Sequence, residues 1–99
     1  MTRHLILSRR ARADIDDIWE YSAATWSPAQ ADRYLTGLET IFFLLCREPD
    51  LCRMRREFQP SVRLHPYRSH LIFYRSDAAT LDVIRVLHAR SDWHSVIAQ

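Results

Sequence analysis

The chain has 99 residues, enough for one domain with a single modest hydrophobic core. Its residues are 47% hydrophobic and 26% charged, a balance that excludes a disordered chain. No apolar run approaches the roughly 20 residues that cross a bilayer, and the opening MTRHLILSRR lacks a signal peptide's long apolar centre. We therefore expect one domain over residues 1–99, in the cytoplasm and away from membranes.

The net charge of +2 conceals an unusual choice of basic residue, because all fourteen are arginine and none is lysine. The planar guanidinium forms paired hydrogen bonds with carboxylates and phosphates, and it stacks on aromatic rings. Acidic protein partners and nucleic acids both remain open as ligands. A GC-rich coding sequence would give the same bias without any functional meaning.

The first third of the chain is predicted to be a strand followed by a helix. The apolar run HLILS suits a short strand, and Ser8 can then cap a helix over about residues 9–25. One face of that helix is mainly apolar and is formed by Ala11, Ile15, Ile18, Trp19, Ser22 and Trp26. Acidic residues crowd the same helix, and we expect those near its N-terminus to complement the helix dipole: Asp14, Asp16, Asp17 and Glu20.

A second helix is predicted from Pro28 to about Arg47, with Ser27 as its cap and Pro49 beyond its end. Its buried stripe is expected to contain Tyr34, Leu38, Ile41, Phe42 and Leu45. Further apolar residues, Leu35, Phe43 and Leu44, fall outside that stripe. The helix is therefore either covered on two sides or leaves part of its surface for a partner.

The remaining chain is predicted to be mostly strand. Residues 49–60 contain two prolines and a basic cluster, which favours a connecting loop with room for one helical turn. Three strands follow at about 62–66, 69–75 and 81–88, and the polar SDAA turn makes the last two an antiparallel hairpin. A short final helix, SDWHSVIA, can follow with Ser91 as its cap.

The order of elements is β-α-α-β-β-β with a possible short C-terminal helix, which predicts the α+β class. Two helices are expected to form a hairpin on one face of a small, mainly antiparallel sheet.

Three stretches, DIDDIWEYS, HLIFYR and VIRVLHAR, occur here in the order typical of one toxin family. With them the chain resembles ParE-type toxins of the RelE/ParE superfamily, also called plasmid stabilisation proteins, from about Leu5 to Trp93. The resemblance implies a toxin of a type II toxin–antitoxin module, neutralised by a ParD-like antitoxin. It also implies that operon DNA is bound through the antitoxin, and we expect no direct DNA binding by this chain.

The superfamily contains two activities, and the residues bear on both. RelE-like members cut messenger RNA on the ribosome, whereas ParE-like members inhibit DNA gyrase. RNA cleavage needs a base, an acid and cations around the phosphate, which His70, His88 and Arg90 could supply. Whether His70 and His88 share a face depends on strand register, which the sequence does not fix.

The ribonuclease pattern is incomplete, because RelE-like toxins commonly carry a tyrosine near the C-terminus and the last tyrosine here is Tyr74. We therefore favour gyrase inhibition without catalytic residues. The ribosome-dependent endonuclease is the alternative, and a non-toxic remnant that only binds its antitoxin is a third hypothesis.

Candidate binding residues follow from side-chain chemistry. For the target we predict Arg85, Arg90, Trp93 and His94. For the antitoxin we predict Leu35, Phe42, Phe43, Leu44, Arg63 and Arg75, which would contact an amphipathic helix and an extended segment. No cluster of metal ligands and no glycine-rich phosphate loop stands out, so we expect neither a metal nor a cofactor.

Overall fold

A computed structural model describes residues 2–98 and confirms the α+β class and the order of the predicted elements. The helices are α1 (Arg9–Thr25), α2 (Pro28–Arg47) and α3 (Trp93–Ala98). The strands are β1 (His4–Leu7), β2 (Met54–Arg55), β3 (Val62–Tyr67), β4 (His70–Ser76) and β5 (Thr80–His88). None of the helices in the described part is long and apolar enough to cross a membrane.

The five strands form one sheet in the order β1-β5-β4-β3-β2. β1 is parallel to β5, beginning with His4 opposite Thr80, and the other pairs are antiparallel. The sequence did not predict β2, because the composition of residues 49–60 favours a loop. That segment contains a 3-10 turn at Pro49–Leu51 and then the two residues of β2, which pair with Val62 and Arg63 at the edge of the sheet.

Side-chain caps fix the start of both long helices, as predicted. The Ser8 hydroxyl accepts from the backbone N–H of Ala11 at 3.0 Å, and the Ser27 hydroxyl accepts from that of Gln30 at 3.0 Å. The expectation that acidic residues complement the dipole of α1 was wrong, because its first turn contains none. Ser91 is not a helix cap either: its hydroxyl donates to the His88 carbonyl, and α3 begins only at Trp93.

The sheet separates two hydrophobic clusters. The larger lies between the sheet and the helical hairpin, where Leu38 and Phe42 of α2 meet Ile72, Tyr74 and neighbouring strand residues. The smaller lies on the opposite face, where α3 and the loop before β3 cover Phe73. The sequence predicted helices on one face of the sheet, but the second face is also covered, because Trp93 and Ile97 of α3 pack there.

A β-bulge in β5 changes which residues face each cluster. Phe73 pairs with Arg85 and Tyr74 with Val83, so Ile84 is an extra residue in β5. Strict alternation would have placed Ile84 with Val86, but Ile84 packs in the smaller cluster and Val83 joins Val86 in the larger one. A strict period of two therefore holds in β5 after the bulge but not across it.

Beyond Leu7, α1 replaces β1 as the neighbour of β5. The Ser8 hydroxyl donates to the Ile84 carbonyl at 2.7 Å, and the Asp14 carboxylate accepts from the backbone N–H of Val86 at 3.0 Å. These side chains satisfy backbone groups that a longer β1 would have paired. The far half of β5, which ends in His88, is thereby held against α1.

Candidate functional site

A cleft of about 620 Å³ opens between the C-terminal half of α1, the first turns of α2 and the ends of the two central strands. Tyr21 and Trp26 stand at one side, and His70 and His88 stand at the other. Arg68 lies in the turn between β3 and β4 and also lines the cleft. Tyr21 and Trp26 are 70% and 73% exposed, so large aromatic surface borders the histidines.

The register of β4 and β5 brings the two candidate histidines together. His70 lies directly opposite His88, which places both side chains on the same face of the sheet. The ring centroids are 5.2 Å apart and the ring planes are at 77°. The structure therefore supplies the juxtaposition that the sequence left open.

Each of the two imidazole rings is hydrogen-bonded at Nδ1. The Tyr34 hydroxyl lies 2.6 Å from Nδ1 of His70, and the backbone N–H of Arg90 donates to Nδ1 of His88 at 3.0 Å. Burial raises the pKa of Tyr34, which keeps its hydroxyl protonated. Burial and then the neighbouring His88 lower the pKa of His70, while Asp14 opposes the shift. The Arg90 N–H can only donate, so Nδ1 of His88 accepts this bond, whereas the direction of the Tyr34–His70 bond follows the tautomer of His70.

This arrangement limits what the histidines can do chemically. A general base needs an available lone pair within reach of the proton that it removes. Nδ1 of His70 is hydrogen-bonded to the Tyr34 hydroxyl, and Nδ1 of His88 accepts from the backbone N–H of Arg90. Both Nδ1 atoms are therefore already engaged within the chain, and a ligand in the cleft would meet these rings through Nε2.

Comparison with known proteins decides the family. A family model described as "ParE toxin of type II toxin-antitoxin system, parDE" matches residues 5–93. The chain belongs to the ParE toxin family. It is 37% identical to Toxin ParE1 of Caulobacter vibrioides over 82 residues, which cover 83% of this chain and 84% of that protein. It is 34% identical to Toxin ParE1 of Mycobacterium tuberculosis over 93 residues, which cover 93% and 95% of the two chains.

A solved structure shares the fold. The chain aligns with a chain of the "Chromosomal ParDE TA system from P. aeruginosa" at a TM-score of 0.75 and 18% identity, covering 88% of this chain and 96% of that one. At such low identity the likeness concerns the fold alone. This ParE chain and the P. aeruginosa chain therefore have the same fold, a helical hairpin on a mainly antiparallel sheet.

Three of the predicted binding arginines are held inside this ParE chain. Arg85 pairs with Asp14 through two hydrogen bonds of 2.8 and 2.9 Å. Arg63 pairs with Asp50 at 3.0 Å and also donates to the Cys52 carbonyl. Arg75 donates to two backbone carbonyls, those of Ser61 at 3.1 Å and Pro60 at 3.4 Å. These arginines attach loops and α1 to the sheet. A partner could contact only those guanidinium atoms that the internal bonds leave exposed.

The other target-binding candidates lie at the end of β5 and on α3. Arg90 is exposed, immediately beyond the histidine pair. Trp93 is half-buried against Phe73, with ring centroids 5.5 Å apart. His94 is exposed, and its ring centroid lies 4.9 Å from that of Phe58. Trp93 therefore anchors the tail, which leaves Arg90 and His94 as the more accessible pair.

The antitoxin-binding candidates on α2 fall into three groups. Phe43 is 47% exposed, and Leu35 and Leu44 are half-buried. Phe42 is only 3% exposed and packs in the larger core cluster, which corrects the expectation that it contacts a partner directly. The outward side of α2 near Phe43 is the accessible apolar surface of that helix.

Sequence reasoning missed several residues of the cleft. Helical periodicity places Tyr34 in the buried stripe, and its bond to His70 had no local signal because the two residues are 36 positions apart. Trp26 falls on the apolar face of α1 by periodicity but is exposed. Tyr21 could have been noticed, because it is a large aromatic residue off the apolar face of an amphipathic helix.

Proposed function

We propose that this ParE toxin inhibits DNA gyrase by binding it, without catalysing a reaction. The ParE-type resemblance implies gyrase as the target. The observation that carries the choice between the two activities is the occupied Nδ1 atom of each candidate histidine, His70 and His88. In this arrangement neither Nδ1 is available as the base that RNA cleavage needs.

The partner that neutralises the toxin is, on this proposal, a ParD-like antitoxin. The solved relative from P. aeruginosa is described as a ParDE system, which supports this pairing. The outward side of α2 at Phe43, which is 47% exposed, suits the apolar side of an amphipathic helix. Contact of the pair with operon DNA would run through the antitoxin.

A supercoiling assay tests the target. The purified chain is added to gyrase with relaxed plasmid and ATP, and we expect either loss of supercoiling or accumulation of cleaved plasmid. The same chain premixed with its antitoxin is the control and should leave gyrase active. Inactivity against several gyrases, combined with rapid loss of translation in cells, would contradict the proposal.

Binding by the cleft end of the sheet can be tested with charge reversal. Arg90→Glu changes an exposed cation beyond the histidine pair, and Arg33→Glu changes an exposed cation on α2. We expect Arg90→Glu to reduce gyrase inhibition by about tenfold or more and Arg33→Glu to have a small effect. Equal effects of the two substitutions would point to a general charge requirement instead of a local contact.

A second candidate function is ribosome-dependent cleavage of messenger RNA. One observation favours it: the ring centroids of His70 and His88 are 5.2 Å apart, and Arg68 lines the same cleft. On this alternative, His88→Ala removes toxicity while folding and antitoxin binding persist. Intact cellular mRNA during growth arrest would rule it out. Growth arrest on expression without any antitoxin would also exclude the third hypothesis, a non-toxic remnant.

A further inference from the structure

A second groove, of about 340 Å³, lies on the other side of the molecule from the histidine cleft, between the start of α1, the sheet and α3. We call it the arginine groove. Its basic residues are Arg9, Arg10, Arg75 and Arg85, and its aliphatic residues are Val62, Ile84, Val96 and Ile97. The groove therefore combines a basic border with an aliphatic floor.

Arg9 and Arg10 occupy positions that helix stability does not favour. They are the first two residues of α1, and the partial positive charge at a helix N-terminus repels cations. Ser8 already caps the helix, and the first turn contains no acidic residue to offset the two arginines. Residues that break a local stability rule are expected at functional sites, and these two border a groove.

The charges of the groove are mostly unbalanced within the chain. Among the described residues, the ion pairs within 4.0 Å are Arg55–Glu57, Arg63–Asp50 and Arg85–Asp14. Arg9, Arg10 and Arg75 are absent from these pairs, and the guanidinium of Arg75 is held in place by backbone carbonyls. Three cations thus face one groove without a carboxylate of their own.

From this charge pattern we infer that the arginine groove binds an acidic, extended peptide segment of a protein partner. Guanidinium groups form paired, charge-assisted hydrogen bonds with carboxylates, and aliphatic side chains of the segment would lie on Ile84, Val96 and Ile97, which are partly exposed. Single-stranded nucleic acid is less favoured, because bases need aromatic rings for stacking and the residues that line this groove include none. This inference rests on the proposed function in one respect, namely that the partner is a protein.

Fluorescence anisotropy with the full chain tests this inference. The probe is a short labelled peptide in which Glu and Asp alternate with Leu and Ser, and the matched probe carries Gln and Asn instead. We expect the acidic peptide to bind at least about tenfold more tightly, with affinity falling as NaCl rises from about 0.05 to about 0.5 M. A thymidine oligonucleotide of equal length forms the third arm and should bind more weakly than the acidic peptide.

Substitutions locate the binding. Arg9→Gln combined with Arg10→Gln should weaken acidic-peptide binding by about tenfold, and Arg75→Gln should weaken it several-fold. The double variant should also raise the thermal midpoint, because it removes two cations that the helix dipole repels. A raised midpoint would exclude a folding defect as the cause of weaker binding. Arg33→Gln and Arg56→Gln change exposed arginines outside the groove and serve as controls.

Two outcomes would overturn the inference. One is tighter binding of the oligonucleotide than of the acidic peptide, with loss in the groove variants, which would make the groove a nucleic-acid surface. The other is peptide binding that the control substitutions weaken as much as the groove substitutions. The binding experiment contains neither gyrase nor antitoxin. Its result therefore does not depend on whether the chain inhibits gyrase, and the two proposals can fail separately.

Discussion

Asp14 and Arg85 are 71 positions apart in the sequence, yet two hydrogen bonds of 2.8 and 2.9 Å join their side chains. The same carboxylate accepts from the backbone N–H of Val86. The hydrogen bond to Asp14 also raises the pKa of Arg85 further above its ordinary value. One carboxylate therefore fastens α1 to the free edge of β5, near the strand end that carries His88.

Asp14→Asn should destabilise the chain by about 2 kcal/mol, because it removes the charge of a mostly buried pair and leaves the Arg85 guanidinium uncompensated. Urea unfolding followed by circular dichroism measures the change. Asp16→Asn, at an exposed position of the same helix, is the matched control and should lie within about 0.5 kcal/mol of the parent. Equal midpoints for the two variants would show that the bonds of Asp14 contribute little to stability.

Gly37→Ala should lower the thermal midpoint, although the same change inside an exposed helix normally stabilises by about 1 kcal/mol. A Cβ at position 37 would lie 2.1 Å from the Tyr67 hydroxyl oxygen, and that hydroxyl donates to the Tyr34 carbonyl. We expect a loss of about 1–3 kcal/mol from the forced displacement of Tyr67. Adding Tyr67→Phe should recover part of the loss, and a raised midpoint for Gly37→Ala alone would refute the packing explanation.

Stability should fall in mild acid because burial lowers the pKa of His70. Unfolded chains bind a proton at His70 below about pH 6.5, whereas the folded chain binds it only at lower pH. The free energy of unfolding therefore decreases as the pH falls from about 6.5 to the lowered pKa of folded His70. His88 and Asp14 also act on this group, with opposite signs.

His70→Asn tests the assignment, since its side-chain oxygen can still accept from Tyr34 but cannot titrate in this range. Thermal midpoints between about pH 5 and pH 7 should depend less on pH in this variant than in the parent. His94→Asn, at an exposed histidine of α3, should keep the parent's dependence. An unchanged slope for His70→Asn would assign the acid sensitivity to other groups.

Neighbouring phenylalanines of α2 should separate stability from antitoxin binding. Phe42→Ala opens a cavity in the core and should cost about 3–5 kcal/mol in the free energy of unfolding. Phe43→Ala should change stability by less than about 1 kcal/mol but weaken antitoxin binding by about tenfold. Urea unfolding and titration calorimetry with the cognate antitoxin give the two values; unaltered affinity for Phe43→Ala would place the antitoxin elsewhere.

Local patterns in the sequence were sufficient for the helices and for the three main strands. Ser8, Ser27 and Pro28 act within one turn of themselves, so their effects can be read from neighbouring residues. The α2 stripe at Leu38, Phe42 and Leu45 also follows from helical periodicity.

Features that depend on pairing between distant residues could not be predicted. The bulge at Ile84 arises from the match between β4 and β5, and no residue type marks it in the sequence. Asp14 resembled one more acidic residue on an exposed helix until Arg85 and Val86 were placed beside it. Arg63 and Arg75 resembled free cations for the same reason, because their partners are carbonyls and a carboxylate in a loop of irregular structure.

The parallel pairing of β1 with β5 affects when the domain can fold during its synthesis. The centre of the sheet is built from β4 and β5, the last two strands to be synthesised, and Leu81, Val83 and Val86 of β5 are core residues. Until these residues emerge, β1 has no neighbour and the apolar sides of α1 and α2 have no sheet to cover. The domain therefore cannot complete its fold before β5 has left the ribosome.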